Sequence, residues 1–340
     1  MTKIVIDAFG GDNSPSEVVI GAIDAINENK DFTAVLVGKE DEIQEILATL
    51  SYDKDRVEIV NANDIITCEE EPVLAVRRKP DSSICVAINV MNEDPDAKVF
   101  VSAGSTGAVL AGSTLKIGRI KGVNRPALCP ILPTIKGDKK VVLLDAGANA
   151  DCKPINLCQF ALMGSLFAKL SGVENPKVAL LSNGTEDEKG NALNHEVFPV
   201  LKEMKEINFV GNMEARDILS GEYDVVVADG FSGNIALKSV EGTAKMVMKS
   251  LKEALYSSLK SKIGALLIKK SLYGLKDKLD YNNKGGALLL GLKKAVVKVH
   301  GSAKRLAIKS AVLQAVSIAK LGVVDEIANK IAEVTTGDEV

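Results

Sequence analysis

The chain holds two histidines, His195 and His300, and five scattered cysteines as candidates for general-base or nucleophilic work. His195 falls in a helical stretch and His300 at the end of the strand-like KAVVKVH, so both read as surface or packing residues. The cysteines sit in apolar contexts such as PALCPIL and NLCQFAL, which suit buried structural thiols. There is no Gly-x-Ser-x-Gly elbow and no zinc-ligand spacing, so no metal is expected. The polar loops offer lysines, asparagines, aspartates and backbone amides instead. That set positions substrates and stabilises charge rather than forming covalent intermediates. It serves a reaction with an anionic nucleophile and an easy leaving group. Attack of phosphate on a thioester is such a reaction, because a thiol with pKa ~8.5 departs with little acid help.

Short apolar runs alternate with helical stretches to position these groups. KIVIDAFGG, FTAVLVG, VEIVNA, KVFVSAG, KVVLLDAG, KVALLSNG, NFVGNM and DVVVADG read as strands, and the segments between most of them carry helical periodicity. Strands apolar on both faces imply a mainly parallel sheet covered by helices, a three-layer α/β/α unit. Ligands then bind beyond the strand carboxyl ends. Five strand-end loops are rich in Gly, Asp, Asn, Ser or Thr: DAFGGDNSP, SAGSTGA, DAGAN, SNGTEDEKGN and DGFSGN. Together they favour a polar, phosphate-bearing ligand. In VVVADGFSGNIALK the Gly-rich stretch reads as a turn, with Asn234 opening the helix that follows.

Neither Gly-x-Gly-x-x-Gly after the first strand nor Gly-x-x-x-x-Gly-Lys-Ser/Thr is present, which disfavours nicotinamide and ATP enzymes. A net charge of −3 argues against general nucleic-acid binding. The cysteine pattern suits a reduced, cytoplasmic protein. MTKIVIDAFGG enters a strand at once, so no targeting segment is expected, and no apolar run reaches membrane-span length. No linker divides the chain, and one catalytic domain over 1–340 is the economical organisation.

Longer motifs carry a resemblance. DAFGGDNSP, EEPVLAVRRKPDSS, SAGSTGAVLAG, GRIKGVNRPALCPILPT, LLDAGANADCKP, NGTEDEKGN, FVGNMEARD, ADGFSGNIALK, YNNKGGALLLGL and KVHGSA occur in this order, nearly end to end. The sequence resembles the phosphate acyltransferases of bacterial phospholipid synthesis, the PlsX family. The resemblance implies conversion of acyl-acyl carrier protein and inorganic phosphate to acyl phosphate and free carrier protein. A membrane acyltransferase then moves the acyl group to glycerol 3-phosphate. It also implies a homodimer, no cofactor, and a fold similar to the phosphotransacetylases and the isocitrate/isopropylmalate dehydrogenases. The family's catalytic lysine and asparagine fall on Lys189 and Asn234, while Glu188 occupies a variable position.

Lys189 would neutralise phosphate or the developing oxyanion, and Asn234 would donate to the thioester oxygen or cap its helix. Candidate substrate- and phosphate-binding positions are Gly10, Gly11, Asp12, Gly104, Ser105, Thr106, Gly107, Asn149, Asn183, Gly184, Thr185, Gly230, Ser232 and Gly233. Asp7, Asp145 and Asp229 either orient loops or face ligand. A phosphotransacetylase-like enzyme using acyl-coenzyme A and a non-catalytic acyl-carrier sensor are the alternatives.

Residues 245–281 form a separate feature. Met248, Leu251, Leu255, Leu259, Ile263 and Leu266 or Leu267 make a helical stripe. Nine lysines between Lys245 and Lys278 face only Glu253 and Asp277. With breaks expected at Gly264 and Gly274, the segment reads as a basic amphipathic hairpin inserted in the domain. It suits a peripheral contact with anionic membrane through Leu255, Leu259, Ile263, Leu266, Leu267 and Ile268. Packing on the core or a dimer partner and docking of acidic carrier protein are the other readings.

Overall fold

The computed structural model describes residues 1–272, 274 and 285–337. Its first half winds as β1 (Thr2–Asp7), α1 (Ser16–Glu28), β2 (Phe32–Gly38), α2 (Glu40–Leu47), β3 (Val57–Asn61), α3 (Pro72–Arg78), α4 (Ser83–Glu93), β4 (Ala97–Ser102) and α5 (Thr106–Gly112). Then follow β5 (Ala127–Cys129), β6 (Ile131–Pro133), β7 (Lys140–Leu144), α6 (Pro154–Leu170), β8 (Lys177–Ser182), α7 (Ala192–Glu203), β9 (Asn208–Glu214) and β10 (Val225–Val227). The chain continues through α8 (Gly230–Tyr256), α9 (Leu259–Leu267), β11 (Ala287–Leu290), β12 (Ala295–Lys298), α10 (Arg305–Leu321) and α11 (Val323–Gly337).

Two sheets form where one was expected. The first has strand order β3-β2-β1-β4-β12-β11-β5, and the second β6-β7-β10-β8-β9. Pairing is parallel from β3 to β12 and from β7 to β9, while β11 and β6 pair antiparallel with their neighbours. The segment β5–β6 passes from one sheet to the other, with Pro130 between them. The Pro130 carbonyl accepts from Leu143 N at 3.2 Å, and the Leu128 carbonyl from Ala146 N at 2.9 Å, so the sheets meet there.

The side-chain alternation of β1 explains the layering. Ile4 and Ile6 join a core shared with α1 and α10, while Val5 faces Ile84 and Ile88 of α4. The same large core includes Phe160 of α6 and Val225 and Val227 of β10, so it runs from sheet to sheet. Val226 points the other way, toward Leu237 of α8. Each fully buried aliphatic side chain contributes about 1.5–3 kcal/mol. The strand ends carrying polar loops therefore rest on a continuous apolar base. In the first sheet, order reverses between β1 and β4, and a ligand crevice belongs at such a switch point.

Candidate active site

Carboxylates at three strand ends tie the loops down. Ser102 Oγ donates to Asp7 Oδ2 at 2.6 Å and accepts from Gly104 N at 3.0 Å, which joins the β1 and β4 loops. Burial pushes the Asp7 pKa up, opposed by these hydrogen bonds. A Cβ on Gly10 would lie 2.6 Å from Gly104 N, so only glycine lets the loops approach this closely. Asp145, wholly buried, accepts from Leu128, Gly147, Ala148 and Asn149 backbone amides and from Asn149 Nδ2. Asp229 caps α8 by accepting from Ser232 N at 2.8 Å and from Ser232 Oγ at 2.9 Å.

The DGFSGN stretch differs from its expected form. Gly230 is already helical, so the presumed turn is the first turn of α8 and Asp229 is its N-cap. Asn234 lies more than a turn inside the helix and does no capping. Its side chain is 3.4 Å from where a Cβ on Gly147 would sit. Gly233 packs so tightly on the Asp145 carbonyl that an added Cβ would lie 1.9 Å from the oxygen. Gly230 is pinned too, with its N–H donating to the Asn149 carbonyl at 2.8 Å.

A cleft of about 430 Å³ opens between the sheets, lined by Thr106, Gly147, Asn234, Lys238, Lys298 and His300 among others. Lys238 pairs with Glu241 at 2.9 Å. Lys298, at the end of β12, is only 8% exposed and donates from Nζ to the Val299 carbonyl. Burial pushes its pKa down to about 8, despite the nearby Cys68, Asp7 and Asp12. His300 Nδ1 accepts from Ser302 N at 3.2 Å, which leaves the proton of a neutral ring on Nε2. Burial, reinforced by Lys238, lowers the His300 pKa. Lys298 and His300 escaped sequence reasoning, although KVHGSA is a sixth Gly/Ser-bearing loop at a strand end.

A second, larger cavity of about 860 Å³ lies across α8, lined by Asn183, Asn191, Ser232, Ile235 and Val247 among others. Lys189 is exposed on the β8–α7 loop beside this second cavity and lines neither space. Asn212 Nδ2 holds that loop by donating to the Glu186 carbonyl at 2.7 Å. Gly184 is buried, and a Cβ there would meet Lys189 Cγ at 2.6 Å. Thr185 is exposed on the same loop. Asn234 thus lines the cleft while Lys189 does not, and the two candidate catalytic residues share no cavity.

The remaining candidates divide between cleft and scaffold. Thr106 lines the cleft, while Ser105 caps α5 by accepting from Ala108 N at 3.4 Å. Gly107 packs on Pro72 of α3, where a Cβ would be 2.5 Å from Cγ. Gly11, at φ 94°, and Asp12, whose N–H donates to the Gly301 carbonyl, bind the β1 loop to the one after β12. Asn149 commits its amide to Pro126 O and Asp145 Oδ2. Among the cysteines Cys85, Cys129 and Cys158 are buried, Cys152 is half-buried and Cys68 is exposed.

The family described as fatty acid synthesis protein matches residues 2–326. Phosphate acyltransferases of Bacillus cereus (strain B4264) and Bacillus thuringiensis (strain Al Hakam) are 51% and 50% identical over 313 residues, covering 92% of this chain and 93% of theirs. The chain belongs to the phosphate acyltransferase family. Among solved structures, a phosphotransacetylase from Streptococcus pyogenes matches with TM-score 0.63 at 17% identity, over 94% of each chain. A 4-hydroxythreonine-4-phosphate dehydrogenase from Klebsiella pneumoniae matches with TM-score 0.52 at 14% identity, over 94% of this chain and 99% of its own. These likenesses show the fold expected from sequence, shared by phosphotransacetylases and dehydrogenases. In this phosphate acyltransferase the cleft between the sheets gathers hydroxyl, amide, imidazole and ammonium groups around one space.

Proposed function

We propose that the enzyme transfers an acyl group from acyl-acyl carrier protein to inorganic phosphate, with no covalent enzyme intermediate. The donor-rich cleft holding Asn234, Thr106 and Lys298 carries this reading. A phosphate oxygen attacks the thioester carbonyl carbon, and the C–S bond breaks as the tetrahedral intermediate collapses. The products are acyl phosphate and the carrier thiol, which takes the proton released by phosphate. Asn234 donates to the carbonyl oxygen as negative charge grows there. Lys189 adds positive charge from the β8–α7 loop. The acyl phosphate then feeds glycerol 3-phosphate acylation at a membrane.

Peripheral membrane docking by a cytoplasmic protein belongs to the same proposal. Leu259 is 79% and Leu267 82% exposed, Ile263, Leu266 and Ile268 are exposed as well, and Leu255 is half-buried. That pattern supports an apolar surface seeking lipid over a stripe covered by the core.

Trapping with hydroxylamine tests the reaction. Wild type incubated with long-chain acyl-acyl carrier protein should yield acyl hydroxamate only when phosphate is present. Asn234→Ala and Lys189→Ala should lower the rate, by ~100- to 1,000-fold where an oxyanion donor is lost. Preference for coenzyme A thioesters would replace the donor assignment. No phosphate-dependent product from either donor would end the enzymatic reading.

A further inference from the structure

We propose that Lys298 is the buried cation of the phosphate subsite, holding the nucleophile in the cleft beside Asn234 and Thr106. The inference rests on the phosphate acyltransfer reading above. Lys298 ends β12, in register with Ser102 of the adjacent parallel strand β4. Ser102 is the residue whose hydroxyl links Asp7 to the Gly104 loop, so the lysine stands where the first-sheet loops converge.

Its surroundings leave its charge poorly compensated. An ammonium carries three donors, and the bond described for this one goes to a backbone carbonyl. Asp7, the nearby buried carboxylate, is engaged by Ser102 Oγ and Phe9 N. Among the described residues Lys298 forms no ion pair with a carboxylate, whereas neighbouring Lys238 has Glu241. Burying a cation without a counter-ion is costly, and an apolar side chain would fill the same space more favourably. An anion entering the cleft supplies the missing charge. Asp7, Asp12, Cys68, Lys238, Glu241 and His300 are the titratable groups around the lysine and its cleft.

The sign of the pH effect follows from burial. Lys298 is charged below about pH 8 and loses its proton above it. Phosphate should therefore bind progressively worse as pH rises through and above about 8, where phosphate itself is already the dianion. Binding must also draw a proton onto the lysine at high pH, since an opposite charge favours the protonated form.

Steady-state kinetics of Lys298→Met and Lys298→Arg test the assignment. The Met variant should raise KM for phosphate by roughly 10-fold or more, the scale of a lost charged hydrogen bond, and leave KM for the thioester unchanged. Its rise in phosphate KM with pH should disappear, while it melts no lower than wild type because a buried charge has gone. The Arg variant should restore part of the affinity with no loss above about pH 8. A Met variant that keeps the wild-type phosphate KM and pH profile overturns the assignment. Calorimetry of inorganic phosphate binding to wild type in buffers of different ionisation enthalpy gives a second readout. Proton uptake above about pH 8 supports Lys298, and its absence counts against it. If wild type binds phosphate with proton uptake yet forms no product, the functional reading fails and the subsite stands.

Discussion

Asp7, Asp145 and Asp229 were legible in the sequence as acidic residues that either orient loops or face ligand, but the donors they anchor were not. Their donors come from distant segments, such as Ser102 for Asp7 and Leu128 N for Asp145, and no local pattern announces those partners. Asn234 was found through its motif, and its place in the helix was misread because Gly-Phe-Ser-Gly has poor helix propensity. Asp229 and tertiary contact with Asp145 override that propensity. Lys298 was hidden for the opposite reason, since VVKV reads as an ordinary apolar strand and burial of its lysine is a tertiary fact. The close approach of Gly233 to Asp145 yields a prediction at this scale. Gly233→Ala should destabilise the fold by about 1–3 kcal/mol through overpacking and displace Asn234, lowering turnover as well. Chemical denaturation compared with wild type reads the first effect, and an unmoved midpoint would refute the steric argument.

Among elements, the eight apolar runs read as strands all form strands; the central ones are buried parallel strands, which leave continuous apolar segments, while the edge strands β3 and β9 are only partly buried. The three-residue strands β5 and β6 were missed, being too short to show any period. The break in the basic hairpin also falls elsewhere than expected. Gly264 lies within α9, and the chain bends at Ser257–Ser258, where Ser258 Oγ accepts from Ser261 N at 3.1 Å. Serine at an N-cap rewards a new helix start, whereas one glycine inside a helix costs only ~1 kcal/mol. Tyr273 and residues 275–281, the second arm of the expected hairpin, lie outside the described residues. Leu259→Ser combined with Ile263→Ser should abolish co-sedimentation with anionic vesicles while leaving turnover of soluble acyl-carrier substrate within about twofold, because both side chains are exposed and belong to no core cluster. Retained sedimentation would favour a role in carrier-protein docking.

For the whole molecule, the layered architecture was readable from the alternation of strands and helices, whereas the division into two sheets was not. That division depends on β5 and β6 pairing with β11 and β7, contacts distant in sequence for β11. The resemblance implied a homodimer, which the mass of the protein in solution tests. Sedimentation equilibrium should return twice the mass of one chain, and a single-chain mass at micromolar concentration would remove this expectation. Helix α8 spans 27 residues, yet its buried residues end at Glu241. It is built as a cantilever: clamped for its first three turns, where Asn234 projects, and running on for roughly 22 Å with no buried residue, its next turns bordering the larger cavity through Thr243, Ala244 and Val247. A tilt of ~5° at the clamp sweeps the free end through about 2 Å. A load applied at that end would act as a torque on the turns that carry the amide of Asn234.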